Sequence, residues 1–394
     1  MKILVVLPRF PYPLEKGDKL RAYHQIVELS KRNEVYLFAV SHKKVLPEQL
    51  EALKPYCREI KVVTPMRLVS YKNVVRNYFF TKSLQMGYWD SQSARRACKT
   101  FERKVQPDVL YNQMVRTVPL VARSKCPKVM DFQDALSMNT ERRMEQAHGL
   151  WHYILHFEFK MLRSTEYNAF KIFDRLTIIS ESDRDAIPHR QGGNIRVIRN
   201  GVDFEYFKPV ETEKKYDVVF CGNMQYRPNV DAARYLVEEV MPLVWEHRPD
   251  TQVVLAGATP KASVRRLAGP RVTVTGSVDD IRPYYAQSKV FAAPMRLGSG
   301  LQNKLLEAMA MGVSCVTTPV ANEALGATHG NQIMIGNDAQ QLADNIIKLL
   351  EDEQLRHTMA ARATTFVHEH FSWETNGQAL EELLKEAIAT HQPE

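Results

Sequence analysis

Residues 1–40 read MKILVVLPRF PYPLEKGDKL RAYHQIVELS KRNEVYLFAV. Residues 3–7 are apolar at every position, the pattern of a central parallel strand covered on both faces. Pro8, Pro11, Pro13 and Gly17 then interrupt the chain in a loop. Across residues 18–32, Leu20, Tyr23, Ile26, Val27 and Leu29 recur at helical spacing, and residues 34–40 form a second strand. Strand, helix and strand in so short a span make a βαβ unit, which requires a parallel sheet and a right-handed crossover.

The same pattern continues outward. Further strands are expected at 60–63, 109–111, 128–132, 176–179 and 195–198, with a long charged helical stretch at 139–173. Residues 204–216, with Pro209 and the run Glu211-Thr212-Glu213-Lys214-Lys215, read as a solvated linker. The pattern then restarts, with strands at 217–221, 252–256, 272–275, 290–293 and 314–317 and helices at 229–240, 303–311 and 340–350. The expectation is an α/β protein with two Rossmann-like domains, 1–208 and 209–375, and a C-terminal helix, 376–394, that crosses back to the first. Parallel sheets bind ligands beyond the carboxyl ends of their strands. Two such domains facing each other place the expected active site in a cleft between them.

Composition narrows the class. The 394 residues are 44% hydrophobic and 25% charged, ordinary for a globular protein, and no apolar run reaches the ~18–20 residues that span a bilayer. The apolar start is too short for a signal peptide and reads as a buried strand. Cys57, Cys98, Cys126, Cys221 and Cys315 are odd in number and in no metal spacing, which suits free thiols in the cytoplasm. The net charge of +8 fits nucleic acid, an anionic membrane or a phosphorylated substrate, and by itself does not choose among them. No nucleic-acid-binding module accompanies the dispersed cations. His368 and His370 lack partners in metal-ligand spacing, so no metal or other cofactor is expected.

The chemistry concentrates in residues 295–318, MRLGSGLQNKLLEAMAMGVSCVTT. Gly298 and Gly300 form a turn between a strand and the helix from Asn303. Backbone N–H groups and the positive end of the helix dipole there suit a diphosphate. Lys304 adds a cation in the first turn, and Glu307, one turn deeper, can accept two ribose hydroxyls. The plain alternative is a pair of turn glycines followed by an ordinary helix. Lys304, Glu307 and the small residues Ala308, Ala310 and Gly312 weigh against it.

This segment resembles the signature of the family 4 (group 1) retaining glycosyltransferases of the GT-B fold: a glycine-rich turn, a helix reading L-L-E-A-M-A-x-G, then a strand. Three further stretches are similar to the family in the expected order: 6–35 to the acceptor-domain opening, RNGVDFEYFKP at 199–209 to the hinge, and VVFCGNMQYRPNVDAARYL at 218–236 to the first strand and turn of the donor domain. The turn G-x-G-x-x-x-K-x-L-E-A-M-A is similar to a subset that includes a branch associated with bacterial exopolysaccharide systems.

The resemblance implies transfer of a sugar from a nucleotide diphosphate donor to an acceptor hydroxyl with retention, without a bound metal. Gly298, Ser299, Gly300, Leu301 and Lys304 would hold the diphosphate and Glu307 the ribose. Arg227, in the turn opened by Gly222 and Asn223, would help neutralise the leaving group; its plain reading is a solvated loop cation. The loop Gly276-Ser277-Val278 would meet the base through backbone groups. In the acceptor domain Gly17 and Asp18 would lie near the transferred sugar, with Asp18 equally readable as a helix cap. Asp134 would orient a hydroxyl, or alternatively cap the next helix. Asp134 and Glu307 are thus the carboxylates assigned to the reaction. Two positions depart from the family pattern. Ser299 stands where relatives carry a first glutamate, and Gln133 stands where they carry a histidine. A non-catalytic nucleotide-binding partner subunit and a nucleotide-sugar 2-epimerase on the same fold are the alternatives.

The segment MRLVSYKNVVRNYFFTKSLQMGYW, 66–89, interleaves Arg67, Lys72, Arg76 and Lys82 with aromatic residues. It suits peripheral contact with the inner membrane face, a pocket for a saccharide or lipid-linked acceptor, or a helical loop packed on the core.

Overall fold

The computed structural model describes residues 1–14, 16–80, 82–145, 147–297 and 300–392. The chain forms two compact units, residues 1–199 with 373–394, and residues 200–372.

Alternation along β1 (Lys2–Leu7) organises the first unit, because successive side chains of a strand point to opposite faces. Ile3, Val5 and Leu7 pack with Ala22, Ile26 and Leu29 of α1 (Gly17–Ser30), whereas Leu4 and Val6 join the core on the opposite face. The sheet continues through β2 (Glu34–Val40), β3 (Glu59–Val63), β4 (Val109–Gln113), β5 (Lys128–Asp131), β6 (Arg175–Ile178) and β7 (Arg196–Val197). Its seven strands are all parallel, in the order β3-β2-β1-β4-β5-β6-β7. The connecting helices are α2 (Pro47–Glu51), α3 (Arg67–Phe79), α4 (Leu84–Trp89), α5 (Gln92–Val105), α6 (Val118–Val121), α7 (Leu136–Glu145), α8 (Leu150–Ile172) and α9 (Glu181–Ala186). Leu380, Leu383, Leu384 and Ala387 of the C-terminal helix Trp373–Thr390 complete the core on the α1 face.

The second unit is built the same way from β8 (Tyr216–Cys221), β9 (Val253–Ala256), β10 (Val272–Val274), β11 (Ser288–Ala293), β12 (Ser314–Thr317) and β13 (Met334–Ile335). These six strands are also parallel, in the order β10-β9-β8-β11-β12-β13. Its helices are α10 (Arg227–Tyr235), α11 (Met241–His247), α12 (Ala262–Arg265), α13 (Arg282–Ala286), α14 (Asn303–Ala310), α15 (Pro319–Asn322), α16 (Ala339–Glu351) and α17 (Glu353–His370).

Local readings needed correction in three places. The helical stretch at 139–173 is two helices, because Gly149 adopts φ +60° immediately before α8 and breaks the α-helical path. The strand expected at 195–198 pairs with β6 only over Arg196–Val197. The helix expected at 229–240 starts at Arg227, where Pro228 suits the first turn, and its last five residues wind as a π-helix before α11.

In each sheet the strand order reverses once, between β1 and β4 and between β8 and β11. Loops leaving neighbouring strands in opposite directions open a crevice at such a point.

Candidate functional site

In the second unit the crevice lies where β8 and β11 end. Gly222 and Asn223 follow β8, and the turn after β11 leads into α14. Gly298 and Ser299 lie outside the described residues. Gly300 has φ +77°, a backbone that glycine adopts without a Cβ penalty, and its carbonyl accepts from Gln302 Nε2 at 3.2 Å. Leu301 packs against the core of the unit. The first N–H groups of α14 have no partner within the helix and are available to an anion.

Lys304 ties the two turns together. Its Nζ donates to Asn229 Oδ1, while Asn229 Nδ2 donates to the carbonyl of Asn223 at 3.0 Å. The ammonium also lies 5.2 Å from the centre of the Phe220 ring. Burial disfavours the charged form and lowers its pKa to about 8, with Glu307 opposing the shift. Glu307 is half-buried, and its Oε2 accepts from the hydroxyl of the fully buried Tyr285 at 2.9 Å. Burial raises the Glu307 pKa above the usual carboxylate range, against the pull of Tyr285 and Lys304. The crevice therefore holds one desolvated cation and one carboxylate with an oxygen not bonded to Tyr285.

Gly257, after β9, has φ +145°, and a Cβ there would stand 1.9 Å from the carbonyl oxygen of Gly222. Backbone runs against backbone at this point, which fixes the β8 turn. Gly276 has φ +77°, Ser277 Oγ accepts from the Thr259 N–H at 3.3 Å, and Val278 is half-buried. Arg227 is exposed at the first position of α10 and makes no ion pair among the described residues. Arg296, by contrast, is held by Asp231 at 2.9 Å and Glu239 at 3.2 Å and stacks over Tyr235.

The crevice of the first unit, beyond β1 and β4, contains a small cavity lined by Arg9, Asp18, Lys19, Gln113, Met114 and Gln133. Gly17 opens α1 and Lys16 occupies the cap position, so Asp18 is not the cap; it pairs with Arg9 at 2.6 Å. Likewise α7 begins at Leu136, two residues beyond Asp134, and the Ala135 N–H is taken by Asp183 Oδ1 at 3.0 Å. Asp134 is largely buried, and burial, then the nearby Asp183 carboxylate, push its pKa up to about 7 despite Arg21. Gln133 has φ +63° and donates from Nε2 to Gln113 Oε1 at 3.1 Å.

Beneath these side chains runs a buried polar network. Asp131 Oδ2 accepts from Arg21 Nε and from the Tyr111 hydroxyl, both at 2.7 Å, and Asp131 Oδ1 accepts from the Gln133 N–H at 2.9 Å. Arg116 stacks on Trp89, and burial, then repulsion from Arg9, lower its pKa to about 10.

Asn229, Tyr285 and Arg21 escape the sequence reading. Polar residues inside an apolar helical face, such as Arg21 and Gln25 in α1, are the signal that would have found Arg21. Among the described residues, no group of three His, Cys, Asp or Glu side chains is arranged to hold a metal ion, and no helix is long and apolar enough to cross a membrane.

Comparison with known proteins agrees with this architecture. Residues 215–352 match the family described as Glycosyl transferases group 1, and residues 20–206 match Glycosyltransferase Family 4. The chain is 24% identical over 396 aligned positions to an uncharacterized 44.6 kDa protein in the cps region of Klebsiella pneumoniae, covering 94% of this chain and 96% of that one. It is 31% identical over 213 positions to a GDP-mannose-dependent monoacylated alpha-(1-6)-phosphatidylinositol monomannoside mannosyltransferase of Corynebacterium glutamicum, covering 47% of this chain and 55% of that one. In fold it is similar to HepE of Anabaena, solved in complex with UDP and glucose, with TM-score 0.68 at 16% identity, covering 97% and 99% of the two chains.

Proposed function

The chain belongs to the group 1, family 4 glycosyltransferases, with the GT-B fold, and on that premise we propose that it moves a hexosyl group from a nucleotide diphosphate donor to an acceptor hydroxyl with retention, in bacterial polysaccharide or glycoconjugate synthesis. The observation that carries the donor reading is the pairing of Lys304 and Glu307 at the switch point of the second sheet. In this reading the diphosphate meets Gly298, Ser299, Gly300, Leu301, Lys304 and the N–H groups opening α14. Glu307 takes the ribose hydroxyls, Gly222 and Asn223 border the phosphates, and the Gly276-Ser277-Val278 loop meets the base.

As the bond from the sugar to the diphosphate breaks, charge grows on the leaving oxygen. Lys304, Arg227 and the backbone donors stabilise it, with no bound metal in the scheme. Asp134, poised near neutrality, accepts a hydrogen bond from a sugar or acceptor hydroxyl, and Gly17 and Asp18 border that hydroxyl. The acceptor is a saccharide or a lipid-linked saccharide, and the enzyme works in the cytoplasm. The similarity to a protein in a cps region supports the polysaccharide setting. The relatives favour neither the non-catalytic subunit nor the 2-epimerase.

Thermal shift against a panel of nucleoside diphosphates tests the site, since a ligand bound only to the folded state raises Tm. One diphosphate is expected to stabilise the wild type and not Glu307→Ala. A panel without effect, or an equal shift in the variant, would remove Glu307 and its turn from donor binding. Proton NMR of the product anomer then reads retention directly.

A further inference from the structure

Helix α3 is inside out. The residues it buries are Ser70, Asn73 and Asn77, at 0%, 8% and 4% exposure. The two asparagine amides are satisfied locally, Asn73 Nδ2 donating to the Asp90 carbonyl at 2.6 Å and Asn77 Nδ2 to the Ser83 carbonyl at 3.0 Å. Gly87 of α4 sits against both asparagines, with no room for a Cβ. The outward stripe is apolar: Leu68, Tyr71, Val75 and Tyr78, followed by Phe79 and Phe80, which are 76% and 67% exposed. A helix in contact with water alone carries the opposite arrangement.

The patch extends beyond α3. Tyr78 packs on Phe157 of α8, ring centres 4.8 Å apart, and the Glu158 carboxylate accepts from Ser83 Oγ at 2.7 Å and from the Leu84 N–H at 2.6 Å. Tyr153, one turn before Phe157 on the same face, is exposed, as are Leu150 and Trp151 at the start of α8. Exposed large apolar side chains gathered on both sides of the Tyr78–Phe157 contact mark an interaction site.

Charge identifies the occupant. Residues 64–89 contain Arg67, Lys72, Arg76 and Lys82 and no aspartate or glutamate. A second copy meeting this face through a two-fold axis would set cations against cations. An anionic bilayer supplies both what the aromatic side chains and what the cations require. We propose that α3 and the start of α8 form a docking surface for an anionic phospholipid membrane, with the aromatic side chains at the headgroup level. This surface is independent of the donor site, so either can fail without the other.

Sedimentation of the full chain with vesicles tests it, comparing phosphatidylcholine alone with vesicles containing about one-third phosphatidylglycerol. The protein is expected to partition to the anionic vesicles, with a blue shift of tryptophan emission from the exposed Trp151. Arg67→Glu with Lys72→Glu should weaken partition by about 30-fold or more, each cation contributing about a factor of five. Phe79→Ser with Phe80→Ser should abolish the blue shift. These side chains are exposed, so Tm and the nucleotide-induced thermal shift serve as folding controls and should match the wild type. Failure of the wild type to bind anionic vesicles overturns the proposal, as does partition unaffected by both pairs of substitutions. A dimer in light scattering that the phenylalanine variant converts to monomer, without vesicle binding, gives the face to a second copy instead.

Discussion

Lys304 is a cation held where burial works against its charge, and Asn229 and Glu307 are what keep it there. With Lys304 on the donor diphosphate as proposed, its pKa of about 8 would make binding depend on pH with a definite sign. A diphosphate binds the protonated ammonium better than the neutral amine, so affinity is full below that pKa and declines as pH rises through it. Calorimetric titration of the cognate nucleoside diphosphate between about pH 6.5 and 9.5 should show that decline, and Lys304→Met should bind weakly with a flat profile over the range. A wild-type profile without slope would take Lys304 out of contact with the phosphates. At this scale the sequence is readable where residues are close together in the chain. Glycine turn, lysine and glutamate fall within ten residues, and the roles proposed for them were read from that short spacing. Asn229 and Tyr285, 75 and 22 residues away from the side chains they hold, are not readable in that way. A single asparagine or tyrosine carries no mark of the partner that folding brings to it.

At the scale of elements, the parallel strands were legible because apolar runs bounded by loops have few other interpretations. Helix α3 was not, since its mixture of basic, aromatic and amide residues fits three environments and only the packing against α4 selects the asparagine face as the inner one. The inversion predicts an unusual order of stabilities. Asn73→Ala removes a buried hydrogen bond and should cost about 1–3 kcal/mol. Phe79→Ser, on the exposed stripe, should change stability by less than about 0.5 kcal/mol. Urea midpoints at constant m-value compare the two. If the phenylalanine proves the more damaging, the stripe is packed in solution and the reading of α3 is wrong. The long helix expected at 139–173 failed for a related reason: Gly149 at φ +60° interrupts good helical spacing on both sides of it, and spacing alone does not reveal whether a glycine takes that conformation.

At the scale of the molecule, the last helix belongs to the first unit's core although it follows the second unit in sequence. Ending the chain at Ser372 removes Leu380, Leu383, Leu384 and Ala387, a loss on the order of 5 kcal/mol or more of apolar burial. That is comparable to the stability of an entire domain. The truncated protein should therefore lose the cooperative unfolding of the first unit in calorimetry, while nucleoside diphosphate still stabilises the second. Retention of both transitions would show that the helix is dispensable to that core. By itself the sequence determined two parallel α/β repeats and singled out the glycine turn, lysine and glutamate that the second unit gathers at one crevice. These depend on local periodicity and short spacings, which a linear chain carries in full. Only the tertiary structure decided which polar residues are buried, which carboxylates sit near neutrality, and which helix face is left apolar in water. Those properties belong to the surroundings each side chain acquires, and distant segments supply them.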